Sequence, residues 1–142
     1  MSDNSIVFHF ENVAFPNFVE EQISKWIDSS IASENKITGT INCIFCDDEY
    51  LLNINQTYLN HDTFTDIVTF NYVENNQISG DLFISIERVK ENAETFNVSF
   101  ERELKRVIIH GVLHLIGFND KTPEEVEQIR AKEDFYLTLC AD

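Results

Sequence analysis

Residues 99–120 read SFERELKRVIIHGVLHLIGFND. Apolar residues recur through this stretch at helical spacing, which predicts the longest helix of the chain over residues 99–117. Ser99 can cap its start, and Glu101 and Glu103 place acid near the first turn, where the helix dipole favours it. Arg102 stands where a full capping box has Glu or Gln, so only half of that box is present. Within the otherwise apolar run lie His110 and His114. On a helix, residues i and i+4 share a face with Cβ atoms about 5–6 Å apart. Two imidazoles so placed can reach one ion at Zn–N distances of roughly 2.0–2.1 Å. They can also be satisfied by backbone carbonyls, so the pair alone does not decide.

The residues that follow favour the metal. Gly117 can take the left-handed conformation that ends a helix. A reversal there swings residues 118–120 back toward the histidine face, where Asp120 is the first side chain with a strong metal-binding group. The spacing H-x3-H-x2-G-x2-D shares the frame of H-E-x-x-H-x-x-G-x-x-H zinc enzymes, with Asp120 as its last letter. Gly111 stands where those enzymes place the glutamate base. The base therefore lies elsewhere, or the site is not a protease, or the metal is structural. Gly111 is expected to leave open space beside the ion, and three donors without a nearby thiolate favour the open, catalytic kind of site.

Working outward, SIVFHF (residues 5–10) and GTINCIFC (39–46) are β-prone. Between them Val19, Ile23, Trp26, Ile27 and Ile31 recur at helical spacing behind Pro16 and Asn17. DDEYLLNINQTYLN (47–60) reads as a short helix opened by acid, and TDIVTFNYV (65–73) and DLFISIE (81–87) as two strands of a hairpin. ERVKENAETFN (87–97) is a polar-faced helix. Thr122-Pro123-Glu124-Glu125 opens the last helix, to about Leu139. Strands and helices intermix without strict alternation. The expected fold is α+β: one domain over residues 1–142, with a small mixed sheet of about four strands covered by helices. The metal site falls at the C-terminal end of the long helix.

With 142 residues and a net charge of −15, the chain repels polyanions at long range, unlike a general nucleic-acid coat, and no DNA partner is expected. No apolar run approaches the roughly 18–20 residues of a membrane span, and the first residues lack a secretion signal, so a cytoplasmic protein is expected. Cys43, Cys46 and Cys140 are too few for a disulfide scaffold. The C-x-x-C at 43–46 falls on a strand, which points its thiols to opposite faces as packing residues.

HGVLHLIGFND (110–120) resembles the H-G-x-L-H-L-x-G-Y-D-H signature of the YbeY family, bacterial metal-dependent endoribonucleases of ribosomal RNA maturation. INQTYLNHDTFTDIVTF (54–70) is similar to that family's L-N-x-x-Y-R-x-x-D-x-x-T-D-V-L-S-F, and GDLFIS (80–85) to its G-D-I-x-I-S strand. The three matches keep the family's order and spacing across residues 54–120. The resemblance implies an α+β fold, one divalent ion, expected to be zinc, held by three ligands, and cleavage of single-stranded RNA. It implies a role in processing small-subunit rRNA 3′ ends and in ribosome quality control, with the ribosome or ribosomal proteins as partners. His110 and His114 match the first two ligands. Asp120 takes the third position, where the family has histidine, and Leu59 stands where the family has arginine.

The candidate catalytic residues are His114, Asp66 and Asp81; the last two, each in a matched motif, are candidates for the base or for a partner behind a ligand. Arg106, one turn before His110, is expected to be solvated or to meet a phosphate. His61 falls in a polar loop, where it is a solvated side chain or a substrate contact, and His9 is expected to pack between Phe8 and Phe10. Two rivals stand beside the ribonuclease: a zincin-like hydrolase or peptidase, and a ribosome-associated binding protein with reduced catalysis.

Overall fold

In Ile37–Cys46 the side chains alternate, sending Ile41, Cys43 and Phe45 into one buried cluster and Cys46 into another on the opposite face. This segment, β2, is a central strand. The computed structural model of the protein describes residues 6–13, 20–59 and 65–140. Its four-stranded sheet has the order β1-β2-β4-β3, with β1 (Ile6–Glu11), β3 (Ile67–Asn71) and β4 (Gln77–Ser85). β1 and β4 run parallel to β2, and β3 returns antiparallel to β4 at the edge. The expected small mixed sheet is therefore present. Each of the two buried thiols is pushed up to about 12 by desolvation, which suits packing rather than redox chemistry.

Helix α1 (Glu20–Ser33) makes the crossover from β1 to β2 and buries Ile23, Trp26, Ile27 and Ile31. α4 (Phe100–Ile116) packs beside it, adding Leu104, Val107, Ile108, Val112 and Leu115 to the same core. α2 (Asp48–Leu59) covers part of the other face, where Leu51 meets Cys46 and Val68. Ser85 ends β4 two residues earlier than the sequence predicts, because its Oγ accepts from Arg88 N and caps α3 (Ile86–Phe96). The predicted start of α1 at Pro16, Asn17 and Val19 lies outside the described residues, as does His61. Among the described residues, no helix is long and apolar enough to cross a membrane.

α5 (Pro123–Leu139) opens with the full capping box expected of Thr122 and Glu125. Its far end is tied to α1 and the turn after it: Trp26 Nε1–H donates to Tyr136 O at 2.8 Å, and Glu34, just past α1, accepts from Lys132 at 2.8 Å and from the Tyr136 hydroxyl. Burial alone would raise the Glu34 carboxyl, but these two donors outweigh it and hold the group below its ordinary value. A depressed carboxyl stabilises the fold above its unfolded value and loses that contribution as pH falls through the folded one. Glu34→Gln is therefore expected to lower stability at pH 7 by about 1 kcal/mol, allowing for the partly exposed lysine. Thermal melts of the two proteins should converge as pH falls well below 4.5, the group's ordinary value.

Candidate metal centre

α4 is buried on most of its circumference; Glu101, Arg102 and Lys105 lie near its start, and four further polar residues, Glu103, Arg106, His110 and His114, share one stripe. Helical spacing makes the stripe, since these positions follow one another by three or four residues. The helix ends as Gly117 predicts. Gly117 has φ +128°, its N–H bonds to the carbonyls of Leu113 and His114, and Phe118 N bonds to Leu113 O at 3.0 Å. A Cβ at Gly117 would meet nothing within 4 Å, so it is the backbone conformation that calls for glycine. The Thr122 cap fixes the other end of the short connection, and Asp120 between them is returned to the stripe.

Three donor atoms converge there. His114 Nε2 lies 3.1 Å from His110 Nε2 and 3.3 Å from Asp120 Oδ2, and His110 Nε2 lies 3.5 Å from the same oxygen. A tetrahedral ion with bonds of roughly 2.0–2.1 Å spaces its neighbouring donors about 3.3–3.4 Å apart, so the set has the right size for one such ion. The other ring nitrogen of His110, Nδ1, lies 2.5 Å from Glu133 Oε2. Glu133 comes from α5, and with Glu103 it was not identified from the sequence. The signal was present: Glu133 lies four residues after Ile129 and three before Tyr136, on the buried stripe of α5.

The donors form one wall of an open cleft of about 430 Å³. Thr65, Asp66, Ile67, Thr69 and Asn71 form the facing wall, at the start and along the edge strand β3. Asp66 thus shares the cleft with His110, His114 and Asp120. Its Oδ2 accepts from Asn92 Nδ2 at 3.3 Å, and its backbone carbonyl accepts from Ser85 N at 3.0 Å. Burial pushes its carboxyl above the ordinary value, against the opposing pull of Arg106 and His110.

Four expectations change. Asp81 pairs in register with Phe70 and Asn42, so it points to the sheet face opposite Thr69 and the cleft; Asn42 Nδ2 donates to it at 3.0 Å. Gly111 does not open space beside the donors. It faces the sheet, and a Cβ there would lie 2.7 Å from Ile67 and 3.0 Å from Leu82, so the glycine lets α4 approach β3 and β4 closely. Arg106 is not a free, solvated arginine: it is bound to Glu103 and Glu133, and with Asp66 and His110 it lines a small pocket of about 60 Å³ beside the cleft. His9 is exposed on β1, its Nε2 3.1 Å from Asn42 Oδ1, because the strand alternation that packs the partly buried Phe8 and Phe10 against the core turns it outward.

A one-sheet α+β domain with a His-x3-His helix, and an acid returned to it by a glycine reversal, has the make-up of a small metal-dependent hydrolase. The family model described as Endoribonuclease YbeY matches residues 7–141, and the chain belongs to that family. It is 56% identical over 120 residues to an endoribonuclease YbeY of Flavobacterium johnsoniae, covering 84% of this chain and 86% of that one. The match to the endoribonuclease YbeY of Flavobacterium psychrophilum is 54% identical over 134 residues, 94% and 95% of the two chains. A solution structure of a Thermotoga maritima protein superposes with a TM-score of 0.66 at 25% identity, covering 92% of this chain and 86% of that one.

Proposed function

We propose that the protein is a metal-dependent endoribonuclease that cleaves single-stranded RNA in ribosomal RNA maturation, with His110, His114 and Asp120 as the ligands of one divalent ion, zinc by its donor set. The observation that carries the reading is the convergence of three lone-pair donors, 3.1–3.5 Å apart, at the wall of an open cleft. When bound, such an ion acidifies a water molecule and polarises a phosphoryl oxygen. The chain's own residues do the rest. Asp66 faces the donors across the cleft, where its carboxylate can take a proton from water; burial makes that carboxylate more basic than an exposed one. Asn92 holds it in place. Thr69 and Asn71 offer a hydroxyl and an amide to substrate along β3.

The RNA's phosphates need cations that the cleft does not supply: no Lys or Arg is among its described lining residues. With a net charge of −15, the chain is brought to its substrate by a partner, the ribosome or a ribosomal protein. The peptidase reading loses its support, since residue 111 points into the core and the zincin glutamate has no counterpart. Purified protein should cut a labelled single-stranded RNA and leave casein intact, and a chelator should stop the cutting. RNA cleavage unaffected by chelator, in protein shown to contain no metal, would overturn the reading.

The third ligand has its own test. Elemental analysis should find about one divalent ion per chain. Asp120→Ala should lower metal affinity by roughly 10²-fold or more, and Asn119→Ala much less, because a carboxylate is a far better ligand than an amide. Asp120→His should hold the ion at least as well as the wild type. Equal affinity in wild type and Asp120→Ala would place the third ligand elsewhere.

A further inference from the structure

Behind the donors, α4 and α5 bury two carboxylates that share one guanidinium. Glu103 and Glu133 are 2% and 1% exposed. Arg106 donates to Glu103 through Nη2 at 2.6 Å and Nε at 3.0 Å, and to Glu133 through Nη1 at 3.3 Å. Removing carboxylates from water is unfavourable unless each is matched by charge and hydrogen bonds. One arginine against two glutamates leaves a negative charge over, and it is turned toward the cleft: Glu133 Oε2 lies 2.5 Å from His110 Nδ1. A bystander ion pair would close on itself. This one stays open at the histidine.

We propose that Glu133, held by Arg106 and Glu103, is a positioning residue that fixes His110 as its Nδ1–H tautomer and so keeps Nε2 free as a donor toward the ion. The inference rests on the metal reading above. A carboxylate accepts and cannot donate, so the short Glu133 contact requires the proton on Nδ1. The lone pair is then left on Nε2, the atom 3.1 Å from His114 Nε2 and 3.5 Å from Asp120. Charge agrees with geometry. Around the donors Glu103, Glu133 and Asp120 outnumber Arg106, and Asp66 on the facing wall adds a further carboxylate, so the surroundings favour a cation. Arg106 is thereby assigned to holding Glu133 rather than to substrate.

The experiment is competition for zinc with a chromogenic chelator, using the full chain as wild type, Glu133→Gln and Glu133→Asp. Glutamine keeps the volume and one acceptor but loses the charge. It should bind zinc about 10–100-fold more weakly, and aspartate should recover part of the loss. In ¹⁵N NMR of metal-free protein, His110 should carry its proton on Nδ1 in the wild type and shift toward the Nε2–H form in Glu133→Gln, which a role in packing alone would not produce. Equal zinc affinity in wild type and Glu133→Gln, or a wild-type His110 protonated at Nε2 alone, would overturn the proposal. If Glu133→Gln does not fold, the wild-type spectrum decides. Wild-type protein that takes up no zinc sinks the metal reading instead, and the tautomer measurement still decides the role of Glu133.

Discussion

Replacing His114 with alanine is expected to reduce single-turnover cleavage of a short single-stranded RNA by about 10³-fold or more, ~4 kcal/mol on the barrier. The size follows from what is removed. With His114 gone, only His110 Nε2 and Asp120 Oδ2 remain, 3.5 Å apart, and two donors hold an ion far less tightly than three. The fold should survive, because His114 is part-exposed on the stripe while its neighbours Leu113 and Leu115 carry the packing. Two measurements separate the causes. The metal-free variant should melt within a few degrees of metal-free wild type, while added zinc should raise the melting temperature of the wild type alone. Equal cleavage by both proteins would assign the activity to a contaminating nuclease and bring the binding-protein reading forward.

A second large effect is expected at Gly111. Gly111→Glu writes H-E-x-x-H into the sequence, and a motif-level reading expects it to create a metallopeptidase. The packing says otherwise. Even a Cβ at this position lies 2.7 Å from Ile67 and 3.0 Å from Leu82, and a glutamate would add a carboxylate between α4 and the sheet. Overpacking and an unpaired buried charge together should cost at least about 4 kcal/mol, enough to leave little folded protein at 37 °C. Gly111→Ala should be milder, since the clashing atoms are side-chain tips and alanine favours the helix. Denaturant unfolding of the two variants against wild type gives the comparison. A well-folded Gly111→Glu protein would mean that α4 is not seated against β3 and β4 as described.

The sequence made the ends of α4 and α5 legible because each has a local physical signal. Gly117 supplies a conformation other residues resist, and Thr122 with Glu125 completes a box within four residues. The convergence of His110, His114 and Asp120 was legible for the same reason, since the three are related by one helix and one reversal. What was hidden depends on tertiary neighbours. Glu133 is one acid among many in its helix, and only the approach of α5 to α4 sets it apart. The side on which Asp81 lies follows from alternation with Leu82, but nothing local says which face of the sheet receives α4. Gly111 was misread because its position on the helix fits either the cleft or the core. The contact with Ile67 decides it.

The two walls of the cleft have different origins in the chain. His110, His114, Asp120 and Glu133 all belong to one helical hairpin, α4 to α5, whose internal geometry is set by short-range contacts and a buried ion network. Thr65 and Asp66 lead into β3, and Ile67 to Asn71 lie on it, an edge strand paired on one side only. Exchanges at Thr69 or Asn71 are therefore expected to alter the cleft's lining while leaving the three donor atoms in place. On the proposed reading, holding an ion and choosing what is cut fall to separate parts of the fold, and the second is the one open to change by single substitutions.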